Sequence, residues 1–293
     1  MTKNIIAAAL LAAATAVSAQ TTIYGRMNAT VDQTKTGATT AKGLVNDISH
    51  IGVSVRENLG QGLAVRAQIE TGIAAQDPIT NNTTQLGDRQ STVGLVHKLG
   101  SVDIGRNVHS VFTTLADGDA FGALYGSAVG DIHNLRGLRL SNGMFARVNA
   151  LPNITGGVDR THTVTGNEVT IYNFGAKIGP VTGGAARYEQ GTEKSTVIGA
   201  NAALGNTRLF YTFSDNTGVQ KSKGHMIGAS QRFGQYTAKA SWGRTDTDIT
   251  AWVVGAEYAL SKRTDLLVSY RNVDKVATAN DIKQIGLGIT HRF

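Results

Sequence analysis

Residues 281–293 alternate without a break. Ile285, Leu287, Ile289 and Phe293 share one parity with Lys283 and His291, while Gln284, Gly286, Gly288, Thr290 and Arg292 share the other. A period of two predicts a β-strand with one apolar and one wet face. The same rule, bounded by turn residues, predicts sixteen strands: 21–34, 44–58, 62–72, 85–99, 101–108, 134–141, 143–150, 168–178, 181–189, 195–204, 207–214, 223–233, 235–245, 250–260, 264–273 and 282–293. In the first, Ile23, Met27, Ala29 and Val31 oppose Tyr24, Arg26, Asn28 and Asp32. In the third, Leu63, Val65, Ala67 and Ile69 oppose Arg66, Gln68 and Glu70. The last strand stops on an aromatic, so its oily face needs a cover other than water.

The connections sort by length. Tight Gly- or Asn-bearing turns fall at 58–62, 99–101, 142–143, 179–180, 205–206, 234 and 261–263, where positive φ is tolerated. Between them lie mostly longer, polar loops such as 34–43, 74–84, 109–133 and 151–167. Short turns at one end and longer loops at the other predict an all-β fold, a 16-stranded antiparallel transmembrane β-barrel. A soluble β-protein would turn its polar face outward and fill its inside with the apolar one. Periodicity leaves the two faces open. Tyr236, Trp242, Trp252, Tyr258, Tyr270 and Phe293, on the apolar parity, suit aromatic girdles at bilayer interfaces.

Composition agrees. With 35 Gly, 3 Pro and 17% charged residues, the chain suits many short strands joined by turns. No apolar run past residue 20 is long enough for a spanning helix. Lys3, an apolar run over 5–17 and the small-x-small site Val17-Ser18-Ala19 predict a removed secretory leader, 1–19, followed by one barrel domain, 20–293. The absence of Cys rules out disulfides as a support for the exported chain. Of 28 Lys and Arg the leader carries only Lys3, so the remainder keeps an excess of cations over its 21 acids.

Catalytic motifs are missing: neither HExxH nor GxSxG occurs, and the seven His lack metal-ligand spacing. No catalytic, cofactor or metal site and no nucleic-acid partner is therefore expected. His50, His97 and His109 read as solvated rim residues rather than bases, which leaves a barrel-borne Ser/His hydrolase as the enzymatic alternative. The functional signal is basic. Parity turns Arg26, Arg56, Arg66, Arg139, Arg147, Lys177, Arg187, Arg208, Arg232, Lys239 and Arg271 inward, against fewer acids, clearest at Asp32, Glu70, Asp103, Glu189 and Glu257. A cationic aqueous lumen concentrates anions and repels cations. The loop 109–133 carries Val111, Phe112, Leu115, Phe121, Leu124, Tyr125 and Val129 among Asp117, Asp119 and Asp131. So apolar a loop is expected to fold inward against the wall.

These residues resemble the Gram-negative general porins of the β-proteobacterial type over nearly the whole chain after the leader. The anchors are Ile23-Tyr24-Gly25, Asn58-Leu59-Gly60-Gln61-Gly62-Leu63, Gly105-Arg106, the run from Tyr258 to Leu266, and His291-Arg292-Phe293. The resemblance implies an outer-membrane homotrimer that passes small hydrophilic solutes and ions passively, with the long third loop folded into the lumen. It implies a basic cluster at Arg26, Arg56 and Arg66, an inward Arg139, loop acids Asp117 and Asp119, and a terminal Phe293 read by the outer-membrane assembly machinery. Simple alternation turns Arg106 outward. A substrate-specific channel, and a non-conducting scaffold or adhesin, are the alternatives.

Overall fold

The computed structural model describes residues 19–73, 85–133, 135, 137–162, 168–218, 221–276 and 280–293. The expected leader therefore lies, but for Ala19, outside the described residues, as does the whole of the expected loop 74–84.

The chain forms a closed antiparallel barrel. Seventeen strand segments fill sixteen places in the wall. The first strand, β1 (Gln20–Thr36), explains the difference. Its second half pairs with β2 (Thr39–Val45) and its first half with β3 (His50–Gly60), so the two share one lane. The lane breaks where Ile48 takes a φ of 56°. Asn28 bridges the break, its Nδ2 donating to Thr290 at 2.8 Å and its backbone N–H to Ser49 Oγ at 2.8 Å. The last strand, β17 (Ile282–Arg292), closes on β1 from Arg26↔Arg292 to Thr36↔Ile282, as alternation predicts. Closure pairs the first and last strands, which would otherwise present sheet edges that lipid could not solvate.

Three expectations are corrected. Asn142-Gly143 is not a turn: β7 (Arg139–Leu151) runs through it, with Asn142 (φ 52°) in an irregularity opposite Gly105 (φ 133°). The expected loop 151–167 contains β8 (Ile154–Thr161), reached through a tight turn at Asn153 (φ 67°). One false split and one missed strand cancelled in the predicted count. The expected loop 34–43 is mostly ladder, turning at Gly37 (φ 56°) between β1 and β2. An Asn in αL marks a turn and a bulge alike, so the dipeptide could not separate them.

The remaining wall is β4 (Leu63–Gly72), β5 (Gln90–His97), β6 (Gly100–Val108), β9 (Thr170–Ile178), β10 (Val181–Gln190), β11 (Glu193–Leu204), β12 (Thr207–Thr217), β13 (Ser222–Phe233), β14 (Tyr236–Thr245), β15 (Thr250–Ala259) and β16 (Thr264–Asp274). Between β6 and β7, residues 109–133 leave the wall and form α1 (Ser110–Asp117) and a helical turn, α2 (Val129–Ile132). They pack on one face of the sheet only. Val111, Leu115, Phe121 and Ile132 form an apolar core with Ile171, Val197, Met226, Val253 and Val273 of the wall. That core marks the inner face. The opposite parity, with Ile23, Val31, Val93, Ile104, Leu287 and Ile289, is exposed.

Candidate functional site

The inner face is a polar lumen crossed by the inserted segment. His109 caps α1, its Nδ1 accepting from the Phe112 N–H at 3.3 Å while its Nε2 faces the Gly137 carbonyl at 3.0 Å. One acceptor and one donor describe a neutral ring, and burial pushes its pKa down. The Ser110 N–H and Oγ–H both donate to Asp159 Oδ2, at 2.7 and 2.6 Å. Asp159 is fully buried, and Arg147 Nη1 lies 2.5 Å from its other oxygen. The angle there falls short of a hydrogen bond, so that contact is an ion pair alone.

Further along, the Tyr125 N–H donates to Asp47 at 2.7 Å and its hydroxyl to Asp32 at 3.3 Å. Asp47 reaches inward because the lane breaks beside it. Asp131 meets Arg271 at 2.9 Å and Lys275 at 3.6 Å. His133, fully buried, places Nδ1 at 2.8 Å from Ser214 Oγ and Nε2 at 2.7 Å from Thr212 Oγ1. Burial pushes its pKa down to about 3. The segment is thus tied to β1, β8, β12 and β16 across the lumen.

The expected site residues separate into groups. Arg26 lines a recess of about 560 Å³ with Arg208, Arg232, Lys239, Arg292, Asp117 and Phe121, and its buried Nε has no hydrogen-bond partner among the described residues. Arg56 and Arg66 sit elsewhere, directly opposite each other on β3 and β4. Arg66 is neutralised by Asp103 at 2.5 Å. Arg139, at the start of β7, has Arg89, Glu70, Arg106 and Asp88 as its electrostatic neighbours. Asp117 ends α1 exposed, with a carbonyl that accepts from Asn201 Nδ2 at 2.9 Å. Asp119 is 4% exposed, and its carboxylate accepts from Ala123 N–H at 2.9 Å and Ser127 Oγ–H at 2.7 Å. Burial raises its pKa, and its bonds serve the fold of the segment. Phe293 lays its ring over Gly25, where a Cβ would overlap it.

Arg187 and Glu189 are corrected from inward to outward. Between them Tyr188 is 4% exposed and points in, while Arg187 pairs with Tyr172, which is 52% exposed. Reading the charged residues of β10 as the wet face inverted its parity. Arg106 donates from Nε to the Asp88 carbonyl at 2.5 Å and from Nη1 to Ser141 Oγ, tying β7 to the chain before β5.

Sequence reasoning missed Asp47, His133 and Asp159. A signal for the docking face existed in Val197-Ile198 and Trp252-Val253-Val254, where adjacent apolar residues break alternation. Val197 and Val253 point inward and are buried under the segment. Continuous apolar runs mark strands covered on both faces.

Among known proteins, the sequence profile of the family described as Gram-negative porin matches residues 7–278. The major outer membrane protein P.IB of Neisseria meningitidis serogroup B (strain MC58) is 33% identical over 126 residues. That alignment spans 40% of this chain and 37% of the relative's length. Among solved structures, an anion-selective porin from Comamonas acidovorans superposes with a TM-score of 0.81 at 19% identity, covering 94% of this chain and all (100%) of that one. Outer-membrane expressed OmpT of Vibrio cholerae gives 0.69 at 11% identity, over 94% and 98% of the two chains. OmpF of Salmonella typhi, in complex with daunomycin, gives 0.69 at 16% identity, over 93% and 97%. At these identities the structural likeness is one of fold.

Proposed function

This chain belongs to the Gram-negative porin family, and on that premise we propose that it forms a water-filled outer-membrane channel for passive diffusion of small hydrophilic solutes, with a preference for anions. The supporting observation is the charge left over on the inner wall. Arg66, Arg147, Lys239, Arg271 and Arg292 are ion-paired. Arg26, Arg208 and Arg232 make no ion pair among the described residues, and all three line one recess beside the inserted segment. A positive wall facing a narrow aqueous path raises anion occupancy. Solutes move down their gradients without turnover.

The outward wall supports assembly as a homotrimer. Exposed outward aromatics are Tyr172, Phe174, Tyr211, Phe233, Tyr236, Trp242, Trp252 and Phe293, all from β9 onward. The exposed outward residues of β1 to β8 include Ile23, Ile51, Val93, Ile104 and Val148, with no aromatic among those described. Girdle aromatics belong where a wall meets lipid headgroups, so an aliphatic half-wall suits contact with further copies of the chain.

Planar-bilayer recording tests the channel. Stable conductance steps and a reversal potential on the anion side are expected, with Arg26→Glu and Arg208→Glu each moving that potential toward cations. Cation preference in the parent protein would refute the charge assignment. Phe293 carries the proposed assembly role: deleting it lowers the yield of outer-membrane barrel and leaves the conductance of assembled molecules unchanged, whereas normal yield removes the role.

A further inference from the structure

A second recess, of about 460 Å³, lies against α1 over β7 to β10 and shares only Asp117 with the cationic one. Its floor is bare backbone. Gly175, Gly184 and Gly199 are register neighbours across β9, β10 and β11. Gly199 is covered by α1, where a Cβ would overlap the Thr114 carbonyl. Gly175 and Gly184 line the recess, and a Cβ there would press on the Thr155 hydroxyl or the Phe174 carbonyl.

The polar groups around this floor differ from those of the cationic wall. Arg147 is neutralised by Asp159. Lys177 shares the inward parity of the buried Ile171, and its side chain has no hydrogen bond or ion pair among the described residues. Asp117 is also without an ion pair among them. The free charges of the recess are therefore one cation on β9 and one carboxylate at the end of α1. Asn173 adds an Nδ2 that is buried without a partner, and Thr155 and Thr182 add hydroxyls. The volume falls within the usual range for small-molecule sites.

We propose that this recess is a binding subsite for small zwitterions of the α-amino-acid type, with the ammonium at Asp117 and the carboxylate at Lys177. Opposite free charges over a neutral floor favour a solute that carries both. A simple anion is drawn instead to the Arg26, Arg208 and Arg232 side. The proposal rests on the lumen being open to solutes, as the channel reading requires, but its test does not depend on conduction.

Binding of L-glutamine to the detergent-solubilised barrel is measured by saturation-transfer NMR, with N-acetyl-L-glutamine, which lacks the ammonium, as the comparison. Glutamine is expected to bind saturably and N-acetyl-glutamine more weakly. Lys177→Gln and Asp117→Asn should each weaken glutamine about three- to fivefold, the scale of one exposed charge contact, and the exchange K177D with D117K should recover most of the loss. Absence of saturable glutamine binding, equal binding of the acetylated compound, or indifference to both single variants would overturn the proposal. A barrel that binds glutamine but gives no conductance steps would instead count against the channel.

Discussion

The wall and the segment that crosses it are held by different forces. The wall is a closed ladder in which β1 pairs with β17 over eleven register pairs, from Arg26 to Thr36, and every strand but β2, which pairs with β1 alone among the described residues, is bonded on both sides. Its outward side chains face their surroundings and take little part in that bonding. The inserted segment has no ladder. It is held by an apolar core against the inner wall and oriented by a few polar anchors, chiefly Ser110 on Asp159, Tyr125 on Asp47, Asp131 on Arg271 and His133 on Ser214 and Thr212. Cooperative backbone bonding spreads a loss over many contacts, whereas a few anchors concentrate it.

The largest effect is expected at Asp159. Asp159→Ala leaves Arg147 without its ion-pair partner and the buried Ser110 N–H and hydroxyl without their acceptor, and leaving such buried donors unsatisfied costs about 1–3 kcal/mol each, Arg147 itself being about a third exposed and open to water. Docking of α1 should weaken by that order while the barrel stays closed. Proteolysis of the segment, with heat-modified gel mobility reporting the barrel, measures the two together. Equal loss of both would erase the distinction between wall and segment.

A smaller effect should follow acidification. The docked His133 is held to about 3, below the ordinary value near 6.5, so its undocked form binds a proton first. Its contribution is fully present above about pH 6.5 and is lost as pH falls from there toward the docked value, reaching about 2 kcal/mol at pH 5. His109, also lowered by burial, acts in the same direction. Asp119, raised by burial, acts in the opposite one. His133→Phe therefore isolates the contribution: hydrogen exchange in α2 should lose most of its dependence between pH 6.5 and 5 in the variant, and an unchanged dependence would remove His133 as the cause.

The smallest effect is expected on the outward wall. Val93 is 55% exposed on β5, and Val93→Ala should change barrel stability by no more than about 0.5 kcal/mol, as an exposed substitution does. In the assembled protein the same substitution should shift the midpoint further, because Val93 lies on the half-wall proposed for contact with other copies, and equal shifts for single barrel and assembly would remove that contact.

Ladder and segment also differ in how far they can be read from the sequence. Strand alternation is local, so the faces of β1, β3, β4, β16 and β17 were legible residue by residue, as was the closing pair. Arg26, Arg56 and Arg66 could likewise be turned inward from parity alone. Their distribution could not: Arg66 is paired with Asp103 on β6, and Arg26 lies with Arg208 and Arg232 of β12 and β13. Such neighbours are set by the order of strands around the barrel. Asp119 looked like a pore acid because its charge is visible in sequence and its hydrogen bonds to Ala123 and Ser127 are not.

By itself, the sequence determined an antiparallel barrel with a basic inner face and an apolar insertion too oily to stand in water. A period of two and turn residues at regular intervals are properties of neighbouring residues, which need no fold to be read. Only the tertiary structure decided where the insertion lies, which arginines keep a free charge, and which of two αL asparagines turns the chain. Each of those depends on contacts between residues far apart in the chain, such as Ser110 with Asp159 and His133 with Ser214, and the register that brings them together exists only once the barrel has closed.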